Sequence, residues 1–151
     1  MRFILTAILI SFFLGGSPIY ADNNTPVGFI ENPIWFSKDS IVGGESVKIY
    51  TLIYNGSTEQ LKGMVVFYND KVVLGRREII VPSKTVKDVS VDWKPTSGTY
   101  RVRAVLENSR LVDLKGVEIK TIDISQETKE NVIQVKEPEL VKVEEKIKES
   151  G

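Results

Sequence analysis

Two runs of alternating apolar and polar residues, centred on residues 86–106, constrain the fold of this chain most strongly. Successive side chains leave a β-strand on opposite faces, so a period of two predicts two extended strands, here joined by a corner that contains Pro95 and Gly98. Each strand has an apolar half, and both halves are stable only if they cover a common core. The apolar faces comprise Val89, Val91 and Trp93 in the first run and Tyr100, Val102, Ala104 and Leu106 in the second.

The same alternation recurs between residues 29 and 124. The strongest candidate strand is 47–55, whose core face we predict to be Val47, Ile49, Thr51 and Ile53. Pro33 cannot donate a backbone hydrogen bond, so the candidate strand 29–37 is predicted at a sheet edge. Seven or eight short strands without a convincing helix predict an all-β sandwich. The remaining candidates are residues 64–68, 72–74, 78–81, 85–93, 99–107 and 117–124.

The first 28 residues differ from this central part. Residues 1–21 carry Arg2, an almost unbroken apolar run and a final Ala21, the pattern of a secretory signal peptide cleaved near Ala21. A retained membrane anchor is the alternative, but the run is about a dozen residues, whereas a span needs ~20. We therefore expect an exported protein (periplasmic, cell-surface or extracellular) with no transmembrane span in the mature chain. Residues 22–28 are predicted to be a flexible leader.

The composition changes at residue 125. Twelve of the last 27 residues are Lys or Glu and none is aromatic, which predicts a solvated linker because such a segment cannot build a core. Leu140, Val143 and Ile147 have helical spacing, so a short helix docked on a partner is the alternative. The predicted domains are a signal peptide (1–21), a leader (22–28), a sandwich (29–124) and a charged tail (125–151).

The composition also excludes several kinds of catalytic and binding site. The chain has no histidine and no cysteine, which removes Ser-His-Asp and Cys-His catalysis, the common zinc sites and disulfides. Asp88 and Asp92 are four residues apart on one strand, hence ~13 Å from each other, too far for a glycosidase pair. Twenty basic residues balance twenty acidic ones, so no field favours nucleic acid. We predict no enzyme activity, no cofactor and no metal site.

Two aromatic residues flank the corner between the central strands. Tyr100 follows Gly98 at a strand start, a position similar to a tyrosine corner, in which the hydroxyl bonds back to the main chain. Trp93 shares a face with Val89 and Val91, which favours burial at the base of the sandwich. The alternative for Trp93 is an exposed ring that stacks on a sugar.

One outer face is a candidate interaction surface. If Val47 and its alternate neighbours face the core, then Tyr50, Leu52 and Tyr54 form an apolar row outside, with Trp35 or Phe36 beside them. Exposed apolar area of this kind marks contact sites, and Tyr and Trp are preferred interface anchors. The alternative is that the first strand or the leader covers the row.

A second candidate is a basic stripe formed by Arg101 and Arg103, which project from one face of the same strand. Such a stripe could hold a carboxylate or an acidic polysaccharide. The alternative is a solvated face on which the arginines pair with cross-strand acids such as Glu118.

Four segments carry a family resemblance: residues 45–57 (ESVKIYTLIYNGS), residues 65–68 followed by Gly75, residues 89–95 (VSVDWKP) and residues 98–104 (GTYRVRA). Over roughly residues 42–107 the chain resembles the bacterial cell-adhesion-related domain called CARDB. Residues 34–39 (IWFSKD) are also similar to the opening of some small exported bacterial proteins of unknown role. The resemblance implies an immunoglobulin-like sandwich of about seven strands, used as a spacer or binding domain, with no catalytic motif.

Three functions follow as expectations. The first is a non-enzymatic module for adhesion or protein contact at the bacterial cell envelope. The second is a carbohydrate-binding module for a cell-wall or extracellular glycan, with Trp35, Tyr68 or Trp93 stacking on sugar. The third is a structural spacer or tether. The partner, an envelope protein or a glycan, and the oligomeric state are not specified by the sequence.

Overall fold

The computed structural model of the protein is all-β. The structure describes residues 27–30, 34–121 and 126–139, and every regular element within them is a strand. The predicted signal peptide and the helical spacing at Leu140, Val143 and Ile147 lie outside the described residues. The strands are β1 (Val27–Phe29), β2 (Trp35–Phe36), β3 (Ile41–Val42), β4 (Val47–Asn55), β5 (Gln60–Asn69), β6 (Val72–Val81), β7 (Thr85–Trp93), β8 (Gly98–Val112), β9 (Glu118–Thr121), β10 (Gln126–Glu127) and β11 (Asn131–Lys136).

The smaller sheet is built around β4. Strand β7 pairs antiparallel with one side of β4, and β1 and β2 pair antiparallel with the other side. Val27 lies opposite Asn55, and Trp35 lies opposite Tyr50, so β1 and β2 are two halves of one edge. The prediction that this segment forms a sheet edge is therefore confirmed. Pro33 itself lies outside the described residues.

The larger sheet is built around β8. Strands follow the order β3-β11-β8-β5-β6, and β9 and β10 also pair with β8. One side of this 15-residue strand pairs with β5, and the other side pairs in turn with β11, β10 and β9. All pairings with β8 are antiparallel, whereas β3 pairs parallel with β11. The two sheets face each other as an immunoglobulin-like sandwich.

The alternate residues predicted for the core fill the space between the sheets. Val47, Ile49, Thr51 and Ile53 are all buried, as are Val89 and Val91 on β7. Trp93 is only 8% exposed, and its ring meets the Tyr100 ring edge-on at 4.8 Å. The Tyr100 hydroxyl donates a hydrogen bond of 2.9 Å to the carbonyl of Thr96. The predicted burial of Trp93 and the predicted tyrosine corner are both confirmed.

The sandwich extends beyond the predicted boundary at residue 124. Residues 126–136, predicted as a linker or helix, instead form β10 and β11 in the larger sheet. In β11, Val135 is 1% exposed and Ile133 is half-buried, whereas Val132 and Gln134 face solvent. The prediction is wrong here because the high Lys and Glu content of the whole tail outweighed a short local alternation with period two.

The strand count also differs from about seven. Eleven strands lie in the described ranges, because the first edge is split into β1 and β2 and the far side of β8 is covered by three separate segments. Residues 72–81 form one strand that continues through Gly75, where a break was predicted. A bulge between Phe67 and Tyr68 keeps β5 and β6 paired across this region.

Side chains tie the two sheets together along both open sides. On one side Gln126 donates to the Val27 carbonyl at 2.6 Å, and Asn131 donates to the Ile34 carbonyl at 3.0 Å. On the other side, where β6 faces β7, the Arg77 Nε donates to the Ser90 carbonyl at 3.3 Å. These side chains satisfy main-chain acceptors of edge strands, which otherwise attract other chains.

Candidate functional site

The outer surface of the smaller sheet carries a cluster of aromatic and apolar side chains. Tyr50, Leu52 and Tyr54 alternate with the buried residues of β4 and are half-buried. The indole of Trp35 lies flat against the Tyr50 ring, with centroids 5.4 Å apart and an interplanar angle of 7°. Trp35 keeps 39% of its surface exposed. The structure therefore places four of the predicted residues on one surface, here called the aromatic face.

Phe36 does not belong to the aromatic face. It follows Trp35 in β2, so its side chain leaves the sheet on the opposite side. There it is half-buried against the core, and its ring lies 6.0 Å from that of Trp93. The sequence predicted that Trp35 or Phe36 would lie beside Tyr50, Leu52 and Tyr54. Trp35 does so, whereas Phe36 faces the core and is not part of the candidate surface.

The aromatic face includes one residue that the sequence analysis did not single out. Val86 lies opposite Tyr54 in the β4–β7 pair and is 50% exposed. Its position could have been found, because Val86 alternates out of step with Val89, which the sequence analysis assigned to the apolar face of the strand. Val86 widens the apolar surface from one strand to two.

A polar margin borders the aromatic face. Lys48 lies opposite Asp92, and its ammonium contacts the carboxylate at 2.7 Å. This bond raises the pKa of Lys48 and lowers the pKa of Asp92, since each charge stabilises the other. Asp88 and Ser90 occupy the intervening positions of β7. Both ionised partners are exposed, so the pair defines the border of the surface more than it stabilises the fold.

The predicted basic stripe is internally neutralised. Arg103 contacts the Glu127 carboxylate at 2.9 Å, and Arg101 contacts that of Glu130 at 3.6 Å. Both acids come from the segment that the sequence analysis assigned to the charged tail. Glu118, the acid named as a possible partner, instead accepts a hydrogen bond from Thr121. The two arginines therefore face carboxylates of their own chain, and the structure does not present them as an open anion site.

Tyr68 is held by the same network. Its hydroxyl donates to the Glu107 carboxylate at 2.7 Å, and the guanidinium of Arg103 lies 5.0 Å from the ring centroid. The hydrogen bond to Glu107, followed by burial, raises the pKa of Tyr68. One ring face of Tyr68 is thus occupied and Trp93 is buried. Of the three aromatic residues considered for sugar stacking, Trp35 alone has a substantially exposed ring.

The described ranges contain neither a cluster for metal binding nor a membrane-spanning helix. No three His, Cys, Asp or Glu side chains within them converge as metal ligands. Asp88 and Asp92, the pair considered for acid–base chemistry, lie on the exposed side of β7, and Asp92 is bound to Lys48. None of the described residues forms a helix long and apolar enough to cross a membrane.

Comparison with known proteins finds similarity among solved structures. The crystal structure of the CARDB domain of the PF1109 protein from Pyrococcus furiosus, in complex with di-metal ions, covers 72% of this chain and 96% of its own, with 13% identity and a TM-score of 0.46. The chain is similar to this CARDB domain.

A second similar structure is a β-glucuronidase from glycoside hydrolase family 2. The match covers 68% of this chain but 11% of the enzyme, with 16% identity and a TM-score of 0.34. No family model matches the chain, and no curated protein matches it.

Proposed function

We propose that this chain is a non-enzymatic, immunoglobulin-like module exported to the bacterial cell envelope, where its aromatic face binds another protein. The observation that carries the proposal is the stacked pair of Trp35 and Tyr50 on the outer side of a small sheet, with Val86 exposed nearby. Tyrosine and tryptophan supply large rigid contact area with few rotatable bonds, which makes them frequent anchors of protein interfaces.

The arrangement of the surface supports this function. Apolar side chains occupy the middle, and the Lys48–Asp92 pair borders them, which matches the apolar core and polar rim of protein interfaces. Apart from Trp35 on the edge strand β2, the residues lie on β4 and β7, two nine-residue strands paired along their whole length. A surface on paired strands is ordered before binding, so little conformational entropy is lost when a partner docks.

Export is proposed from the sequence pattern of residues 1–21. The chain has no cysteine, so the sandwich is held together by the continuous apolar core that it buries and not by disulfides. The partner is then a protein that faces the same compartment. An apolar surface with balanced charges at its border favours a folded partner over a polyelectrolyte.

Site-directed crosslinking tests the proposal. The chain has no cysteine, so a single Val86→Cys substitution can carry a photo-crosslinker on the aromatic face. Val132→Cys, at a 57% exposed position on the larger sheet, is the matched control. In cells that express the full chain, we expect the Val86 position to form a discrete adduct with an envelope protein and the Val132 position to form none.

A double substitution identifies the contact residues. Tyr50→Ser combined with Tyr54→Ser is expected to abolish the adduct at position 86 while the melting transition remains cooperative. Trp35→Ser gives an independent variant at an edge residue. Equal adducts at positions 86 and 132, or an adduct that persists in both sets of variants, would remove the aromatic face from the proposed function.

A glycan is the second candidate ligand, favoured by one observation: the indole of Trp35 is flat on Tyr50 and remains 39% exposed, as a sugar-stacking platform requires. Because Trp93 is buried, a fluorescence change on glycan addition reports mainly on Trp35. Titration of the Trp93→Phe variant with cell-wall and acidic polysaccharides tests this. Quenching that saturates supports the glycan, and unchanged emission across the set excludes it.

A further inference from the structure

The hairpin formed by the end of β8 and β9 projects apolar side chains into solvent. Leu114 at its tip is 93% exposed, and Val117 and Ile119 are 60% and 56% exposed. All four residues of β9 are exposed, so the described part of the fold does not cover this hairpin. Exposed apolar side chains that are grouped in this way mark a candidate contact site.

The loop at the tip is ordered by its own hydrogen bonds. The Asp113 carboxylate accepts main-chain hydrogen bonds from Lys115 and Val117, each 2.8 Å long. The Asp113 amide donates to the Val117 carbonyl at 2.9 Å, and Gly116 adopts a φ of +82° that closes the turn. Leu114 is therefore held outward by the turn and cannot fold back onto the sandwich without breaking these bonds.

A basic groove begins beside the hairpin. Its volume is about 610 Å³, and its cationic lining comes from Lys62, Lys87 and Arg110. The Lys62 ammonium lies 3.8 Å from the position that a Cβ on Gly116 would occupy, so the groove reaches the hairpin loop. Met64 and Ile80 supply apolar lining. The apolar tip and the basic groove thus form one continuous surface at this end of the domain.

The charge of this surface is positive although the chain is neutral. The groove and the hairpin hold five cationic side chains and three carboxylates. Two of the three carboxylates, those of Asp113 and Glu118, accept hydrogen bonds within the hairpin. No ion pair within the described ranges involves a cation of this surface. The cations are Lys62, Lys87, Arg110, Lys115 and Lys120.

We propose that the hairpin and the basic groove dock on a membrane surface that contains anionic lipids. Apolar side chains flanked by lysines are the composition of segments that lie in the headgroup region, where apolar groups enter the acyl boundary and ammonium groups meet phosphates. Four of the five cations are lysines, which act as flexible point charges and suit a fluid array of phosphates.

The inference goes beyond the proposed function, because it concerns a different surface. The aromatic face lies on the outer side of the smaller sheet, whereas the hairpin and the rest of the groove belong to the larger sheet, and only Lys87 of the groove comes from β7. A module that rests on a membrane through the hairpin keeps the aromatic face available for a protein partner. The two proposals can therefore fail separately.

A dye attached at a single introduced cysteine tests the docking. Val117→Cys places an environment-sensitive dye in the hairpin of the full chain, which has no other cysteine. Val132→Cys is the control, since Val132 lies opposite Arg101, nine residues before Arg110 along β8, a separation of about 30 Å. The dye reports its own position, so any membrane contact of residues 1–21 does not imitate the result.

Vesicles of phosphatidylcholine are compared with vesicles that contain about one third phosphatidylglycerol. We expect a blue shift of the dye at position 117 with the anionic vesicles only, and none at position 132. Lys62→Gln with Arg110→Gln is expected to weaken vesicle binding by about fivefold per cation, the equivalent of one lysine near an anionic surface. Leu114→Ser is expected to reduce the shift, and its 93% exposure makes a folding defect a poor explanation.

Several results overturn the proposal. These are an equal shift with neutral vesicles, an equal shift at both dye positions, or a shift unaffected by Leu114→Ser. Polyglutamate in place of vesicles provides a further arm: if it produces the same blue shift, the surface binds acidic chains and not a bilayer. Tyr50→Ser with Tyr54→Ser should leave the shift unchanged, which separates this result from the proposed function of the aromatic face.

Discussion

The pKa of Tyr68, on the outer face of the larger sheet, is shifted by the neighbouring side chains. Its hydroxyl donates to Glu107 at 2.7 Å, and this bond, followed by burial, raises its pKa from 10.0. The protonated phenol is thus preferred in the folded state. Its contribution to stability is fully present below the unfolded pKa of about 10 and is lost as the pH rises through the higher folded value.

Alkaline absorbance titration measures this effect. We expect Tyr68 to ionise in a late step, above the ordinary pKa of the phenol, and Tyr68→Phe should remove that step. Glu107→Ala should move the step to lower pH, because it removes the largest cause of the raised pKa. A late step that survives Tyr68→Phe would assign the raised pKa to another tyrosine.

Asn55 shows which residue roles the sequence can and cannot indicate. Its position before Gly56 and Ser57 correctly predicts a turn at the end of β4. Its side chain is also fully buried, where the amide donates to the carbonyls of Glu59, Val81 and Pro82. Two of these acceptors lie 26 and 27 residues away, so no local pattern reveals that Asn55 joins the β4 turn to the end of β6.

At the scale of elements, the pairing of β11 with β8 extends the folded domain to Lys136. Val135 and Val132 belong to the same strand, but Val135 is 1% exposed and Val132 is 57% exposed. We expect Val135→Ala to lower the free energy of unfolding by about 2 kcal/mol, because it leaves a cavity in the core. Val132→Ala should change it by less than about 0.5 kcal/mol. Chemical denaturation of the full chain measures both, and equal small effects would place the segment outside the folded domain.

The outcome for β11 shows why the tail was misassigned. Composition averaged over 27 residues describes a solvated segment well, but a strand needs only a few alternating residues and a neighbour with an open side. The neighbour is β8, a strand long enough to pair with three separate segments along one side. The unpaired side of β8 exists only in the assembled sheet, so it cannot be deduced from the sequence of residues 126–136.

For the whole molecule, alternation alone was sufficient to predict two packed sheets, the core face of β4 and the burial of Trp93. The same alternation placed Tyr50 outside, and it could have placed Phe36 inside next to Trp93 if the register of β2 had been known. The neutralisation of Arg101 and Arg103 depended on acids from β10 and the loop before β11. Long-range pairing decided these features, and residue spacing could not predict it.

The two sheets approach each other closely at β6 and β7, where Gly75 faces Val91. A Cβ on Gly75 would lie 2.8 Å from the Cβ of Val91 and 3.0 Å from each of its methyl carbons. Val91 is 5% exposed and cannot move outward without opening the core. We expect Gly75→Ala to lower the free energy of unfolding by about 1–3 kcal/mol through overpacking.

A double-mutant cycle with Val91→Ala separates this contact from a general effect on the strand. Val91→Ala removes two of the three closest atoms, so Gly75→Ala should cost less in that background, with a coupling of at least about 0.5 kcal/mol. The measurement is urea denaturation of the four chains under one set of conditions. If the changes in the free energy of unfolding were strictly additive, Gly75 would affect only the conformation of β6. The absence of a side chain at Gly75 would then not determine the spacing between the sheets.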